Sequence, residues 1–150
     1  MNDTLNVSQT IIDMLNAVDS HEWERVRACF DTQVLADYTS FAGGEPAVLE
    51  ADQLIDSWKG FLPGFAMTFH QVSNFQVQIE GNEASCFSYL NALHSIPDAM
   101  GGEHWTLIGT YEHKLLLIDG AWRITAMKLN VLTQIGNMGL PALAQERMGR

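Results

Sequence analysis

Residues 19–41 read DSHEWERVRACFDTQVLADYTSF, and the fold turns on how this stretch is divided. Asp19 and Glu22 stand three apart like a loose capping box, and Trp23, Val26 and Phe30 follow at helical spacing, which predicts a short helix opening at Asp19. Residues 33–41 are rich in strand formers and run into Gly43-Gly44, which predicts a strand ending in a turn. Upstream, Val7, Ile11, Met14, Leu15 and Val18 form one apolar stripe of a first helix over 7–18. Downstream, Leu54, Ile55, Trp58 and Phe61 share one side of a third helix that stops at Pro63-Gly64. Residues 67–80, 84–96, 105–118 and 121–132 then read as strands, with Gly81-Asn82 and Asp119-Gly120 as hairpin turns. Helices followed by an antiparallel meander define an α+β class, here a bent sheet wrapped around three N-terminal helices and enclosing a pocket.

Composition narrows the partners. A chain of 150 residues suits one domain, 1–150, with a globular part of about 5–132 and a breaker-rich tail or lid at 133–150 carrying Gly136, Gly139, Pro141 and Gly149. Eight basic against eighteen acidic residues, net −10, repel phosphate backbones and argue against nucleic-acid binding. Neither a membrane span nor a secretory signal is legible, so a soluble cytoplasmic protein is expected. Cys29 and Cys86 lack metal-site spacing and read as buried thiols. The run Leu115-Leu116-Leu117-Ile118 is apolar on both faces and suggests a covered outer face, hence a homodimer or homotrimer.

The segments DSHEWERVRACF, LADYTSF, TFHQVSN, NALH and DGAWRI resemble the nuclear transport factor 2-like superfamily, and within it the SnoaL-like and scytalone dehydratase-like branch, from about residue 11 to 132. The resemblance implies a cone-shaped α+β barrel holding a small apolar or aromatic substrate. It also implies a lyase that dehydrates a cyclic or polyketide-like hydroxy-ketone without metal or organic cofactor. Its aspartate, tyrosine and two histidines match Asp19, Tyr38, His70 and His94. Three positions depart from the pattern: a tyrosine is replaced by Val18, and a serine and an asparagine by Gly109 and Tyr111.

Proton abstraction beside a carbonyl needs a base poised near neutrality, and histidine is the natural one, so His70 is the candidate base. Asp19 can fix the tautomer of either histidine. Tyr38 can donate to the developing enolate oxygen. His94 can protonate the leaving hydroxyl or hold the pair in register. Tyr111, Trp58, Phe69 and Trp105 are candidate substrate contacts, whereas His21, His104 and His113 sit among charged or loop residues and read as solvated.

Each residue also has a plainer reading. Asp19 opens a helix and can simply cap it, a role worth about 1 kcal/mol. Histidines on strands are by default structural. Moreover, His70 is even-numbered while Phe75, Val77 and Ile79 are odd, so a pocket-facing His70 needs a bulge or a sheet concave on its polar face. Other functions fit the same fold: an isomerase or cyclase with Asp37 as base, or a non-catalytic ligand-binding or assembly subunit. Two histidines and a carboxylate also compose an iron facial triad, but the usual close His-x-Asp/Glu pair is missing.

Overall fold

The computed structural model describes residues 2–149. Helix α1, Asp3–Asp19, starts a turn earlier than the apolar stripe, because the Asn2 side chain accepts from the Thr4 and Leu5 amides and caps it. Its buried face is the expected one, Val7, Ile11, Met14, Leu15 and Val18. Asp19 is the last residue of α1 and caps nothing: α2, Trp23–Ala28, has Glu22 at its N-cap without a side-chain bond. The expected helix start at Asp19 is therefore corrected, and its carboxylate is left free for other work.

The expected strand also shifts. Strand β1 is Phe30–Asp37, with Val34 and Ala36 buried, and the chain then turns into a four-residue helix α3, Thr39–Ala42, placing Tyr38 at a helix start. A short β2, Ala47–Glu50, follows, and then α4, Ala51–Lys59, whose first turn is tied by Gln53 Oε1 accepting from the Glu50 amide at 3.1 Å. Phe61 lies beyond α4, before a 3₁₀ turn at Leu62–Gly64.

Four long strands make the rest of the sheet: β3 Met67–Glu80, β4 Glu83–Ser95, β5 His104–Ile118 and β6 Ala121–Gly136. The six strands run in the order β2-β1-β6-β5-β4-β3, antiparallel throughout except for the parallel β1–β6 pair. In the last hairpin Asp119 and Gly120 both take positive φ, +50° and +81°, as a tight primed turn requires. Strand β3 solves the phase problem of His70. Its pairing with β4 slips between Ser73 and Gln76, with Asn74 at φ +57°. Before this bulge the even positions Thr68, His70 and Val72 face inward; after it the odd positions Phe75, Val77 and Ile79 do.

The tail is structured. Strand β6 continues to Gly136, and α5, Leu140–Arg147, buries Leu140 and Ala144. Gly64 makes this docking possible, because a Cβ there would stand 2.1 Å from the Ala144 carbonyl oxygen, a backbone atom with no room to yield. Gly64→Ala is expected to push α5 off the body, lowering stability by about 1–3 kcal/mol in urea denaturation and exposing residues 140–147 to limited proteolysis. Gly109 has a similar constraint: its missing Cβ would meet the Asn130 carbonyl at 2.1 Å, so this position serves backbone packing at the β5 bulge and could not hold a serine.

Burial locates the apolar run at 115–118 and corrects one further expectation, that of His113. Leu115 is in the core and Leu116 to Ile118 are half-buried within the chain itself, while the exposed large apolar side chains include Phe69, Tyr89, Leu132 and Ile135. His113 is not solvated but 1 % exposed, and neither ring nitrogen has a hydrogen-bond partner. Cys86 is buried and Cys29 half-buried, both as free thiols. Among the described residues no helix is long and apolar enough to cross a membrane.

Candidate active site

Asp19 ends α1 pointing at β3. One of its oxygens, Oδ2, accepts from the His70 amide at 2.8 Å; the other, Oδ1, accepts from the Thr68 hydroxyl at 2.9 Å and lies 2.7 Å from His70 Nδ1. A carboxylate can only accept, so His70 Nδ1 carries a proton, and in the neutral ring Nε2 is the lone pair left to act as a base. Burial pushes the Asp19 carboxyl up, but the His70 ring, its charge and amide, and the Thr68 hydroxyl together outweigh this and hold the group below the ordinary carboxylate range. Asp19 therefore stays ionised under an apolar roof. The pair is only 20 % and 10 % exposed at the two side chains.

The His70 ring faces a cavity of about 350 Å³ lined mostly by apolar side chains, among them Leu15, Val18, Trp58, Leu90 and Met127. His94, Tyr38, Trp105 and Tyr111 line it too, so the structure brings together nearly all the expected site residues. Trp58 and Phe61 form part of the wall, and Gln145 reaches in from α5, which thereby closes one side. None of the described residues lining the cavity is a lysine or arginine.

His94 stands edge-on to His70, with ring centroids 5.7 Å apart and planes at 83°. It stacks on Trp105 at 4.3 Å and meets Phe65, tilted by 50°, at 4.8 Å. Its Nδ1 lies 3.2 Å from the Trp105 carbonyl oxygen, an acceptor, so Nδ1 carries the proton. Burial, and next the neighbouring His70, lower its pKa to about 4. A histidine of that kind is neutral at pH 7, which of its two expected roles fits holding the pair in register better than protonating a leaving group.

Tyr38 and Tyr111 remain protonated phenols. Burial pushes Tyr38 up to about 12, with Trp58 opposing slightly, and pushes Tyr111 up further, with Tyr38 and Asp19 adding to it. The Tyr38 hydroxyl donates to Met127 Sδ at 3.9 Å, a weak acceptor, and accepts from the Trp58 side chain, so its proton is available to a ligand oxygen.

Two expected contacts lie elsewhere. Phe69 is 52 % exposed on the outer face, because it alternates with Thr68 and His70 on the same strand. Asp37 is committed to the Thr39 amide and hydroxyl, at 3.0 and 2.7 Å, and is outside the cavity lining. Thr68 is a site residue that sequence reasoning missed; its place two before His70 on one strand face was the available signal. Among the described residues, no three His, Cys, Asp or Glu side chains converge as a metal site.

Comparison with known proteins places this geometry in a family. The SnoaL-like domain model matches residues 1–128. The Mycobacterium tuberculosis protein Rv2910c, itself uncharacterized, is 25% identical over 92 residues, 59% of this chain and 60% of that protein, so the match spans about 60% of the relative's length. Among solved structures, the Kfla4162 protein of Kribbella flavida is 19% identical with a TM-score of 0.85, covering 94% of this chain and 95% of that one. A Novosphingobium aromaticivorans protein assigned by name to scytalone dehydratase is 21% identical with a TM-score of 0.76, covering 91% of each chain. A hexachlorocyclohexane dehydrochlorinase is 13% identical with a TM-score of 0.70, covering 90% of this chain and 88% of that one. At such identities the structures speak for the fold, a curved sheet around N-terminal helices, and the match over most of the sequence makes this chain a member of the SnoaL-like domain family.

Proposed function

We propose that the chain is a cofactor-free lyase that eliminates water from a small neutral hydroxy-ketone. The observation that carries this reading is the Asp19–His70 pair, buried, hydrogen-bonded at 2.7 Å and opening its free ring nitrogen on an apolar cavity. In the reaction the C–H bond beside the carbonyl breaks and its proton passes to His70 Nε2, while Asp19 stabilises the imidazolium so formed. Tyr38 donates to the carbonyl oxygen as negative charge develops there, a contribution of about 10²–10³ in rate for such donors. The C–O bond then breaks and the departing hydroxide takes a proton from the His70 imidazolium, leaving water and restoring the base. The dehydratase and dehydrochlorinase names carried by proteins of the same fold support elimination as the reaction class.

Isomerisation is the second reading, and one observation favours it: His94, neutral at pH 7, supplies no second acid, so chemistry in which His70 returns its proton to carbon fits as well. The test uses 3-hydroxyindan-1-one, whose dehydration to indenone changes its absorbance, beside 1-indanone, whose α-hydrogens exchange in D₂O. Elimination of the first supports the lyase. Exchange of the second without elimination of the first supports the isomerase. Neither reaction across a panel of β-hydroxy-ketones of this size would remove both.

A further inference from the structure

We infer that His94 is a permanent hydrogen-bond acceptor for the ligand, so that the cavity selects neutral molecules bearing a hydroxyl or N–H group at that point. This rests on reading the cavity as the substrate site, and it adds a selectivity that the Asp19–His70 pair does not supply.

The orientation of His94 is fixed by a chain of contacts outside the reacting pair. Trp105 Nε1 donates to Gln134 Oε1 at 2.9 Å, which pins the indole, and the indole stacks on the imidazole at 4.3 Å. The carbonyl of the same residue holds the Nδ1 proton at 3.2 Å. Phe65 packs against the imidazole at 4.8 Å and against the indole at 6.1 Å, so the three rings form one cluster. The ring is 4 % exposed and lines the cavity, and with Nδ1 committed to the Trp105 carbonyl and the Ala92 carbonyl a weaker neighbour, Nε2 of the neutral ring is the lone-pair nitrogen left for a ligand. An imidazole can satisfy that lone pair only by accepting.

Alternative states of the ring are disfavoured for independent reasons. Flipping it would set a bare nitrogen against the Trp105 carbonyl, two acceptors facing each other. Protonating it would bury a cation beside His70, which becomes cationic during turnover, and the net burial effect keeps the pKa near 4. The Trp105 carbonyl, then the Asp19 carboxylate and the Ala92 carbonyl, oppose this without reversing it, and no lysine or arginine is among the described cavity residues.

The opposite requirement comes from the two phenols. Tyr38 lies close enough to Tyr111 to add to its cost of ionisation, and both phenols line the cavity as donors for a ligand oxygen. The cavity thus asks for a donor at His94 and an acceptor at the phenols, with no formal charge, since an anion would find no cation there. A hydroxylated carbonyl compound satisfies both demands. Gln134 and Trp105 are positioning residues in this scheme, acting through the ring rather than on the ligand.

Binding of 2-naphthol and of 2-fluoronaphthalene, near-isosteres that differ in the donor, tests the inference without turnover. Calorimetric or fluorescence titration is expected to give 2-naphthol an affinity ~10-fold or more higher, because a site with an unpaired polar atom rejects the analogue that cannot bond it. In His94→Phe, which keeps a flat ring against Phe65 and Trp105, the ratio is expected to fall to within ~2-fold while 2-fluoronaphthalene still binds. Should that variant not fold, long-range ¹H–¹⁵N spectra of the native protein at pH 7 answer the same question. They are expected to show His94 protonated at Nδ1 alone, with Nε2 shifting on addition of 2-naphthol and not of 2-fluoronaphthalene. Equal affinities in the native protein, or an Nε2-protonated or cationic His94, would overturn the inference. If the preference survives in His94→Phe and vanishes in His70→Phe, the acceptor is His70: this inference falls while the Asp19–His70 reading stands. Binding of neither compound overturns both.

Discussion

Asp19→Asn is expected to lower the turnover of 3-hydroxyindan-1-one by about 10³–10⁴-fold with little change in KM, the scale of loss seen when a histidine base is held in the wrong tautomer. The reasoning is local. The carboxylate offers acceptors on both oxygens, one to the His70 amide and one shared by the Thr68 hydroxyl and His70 Nδ1. An asparagine has one acceptor and one donor. If its NH₂ faces Nδ1, the His70 proton moves to Nε2 and the base disappears. If its NH₂ faces the backbone instead, two donors collide at the 2.8 Å contact and the residue is driven back to the first orientation. Either way a folded protein with an intact cavity loses its base. Near-UV circular dichroism and 2-fluoronaphthalene affinity should therefore stay near native while kcat collapses. A drop of less than ~10-fold with the fold retained would mean that His70 needs no partner, and the elimination scheme would lose its foundation.

The origin of Asp19's role also shows how far the sequence was legible. Strand periodicities predicted three of the four long strands and both hairpin turns to within a residue, since alternation and Gly-containing turns are local signals, while the last strand runs four residues past its expected end at 132. The family pattern pointed to Asp19, Tyr38, His70 and His94, and the cavity does gather Tyr38, His70 and His94 with Asp19 behind them. The reading of Asp19 as a cap went astray because Asp-x-x-Glu before an apolar run looks the same whether the aspartate starts one helix or ends another. Only its partner 51 residues away decides between them. Phe69 and Asp37 were misplaced for a related reason. One residue of register sends a side chain to the other face, and register in β3 depends on a bulge at Asn74 that asparagine permits but does not announce. The tautomer of His94 was not readable at all, because a backbone carbonyl on the neighbouring strand sets it.

His113 exemplifies information that appears only in three dimensions, and it carries the second large expected effect. Its ring is fully enclosed between β4 and β6, where its pairing neighbours are Cys86 and Met127, with Tyr111 at 5.0 Å as the nearest ring. Burial alone lowers its pKa to about 3, and His94 falls to about 4. In the unfolded chain both titrate near the ordinary histidine value of about 6.5. Below that pH the unfolded state binds protons that the native state refuses, so stability is full above pH ~6.5 and falls as pH drops toward 4, by up to about 1.4 kcal/mol per pH unit for each histidine. Asp19 adds a loss at still lower pH, since its depressed pKa gives stability that is present above the unfolded carboxylate value and lost as pH falls through the native one. Two histidines acting together would remove on the order of 4 kcal/mol by pH 5, a large share of the roughly 5–15 kcal/mol that holds a domain of this size. Urea denaturation between pH 7.5 and 4.5 measures this directly. His113→Leu separates the two contributions: it replaces a polar ring lacking partners by an apolar side chain of similar volume, so stability at pH 7 is expected to hold or rise, while the slope between pH 6.5 and 4.5 is expected to fall by about half. The remaining slope belongs to His94 and should flatten in His113→Leu/His94→Phe. If the single variant kept the full native slope, His113 would have to be charged or solvated in the native protein, in contradiction to its 1 % exposure.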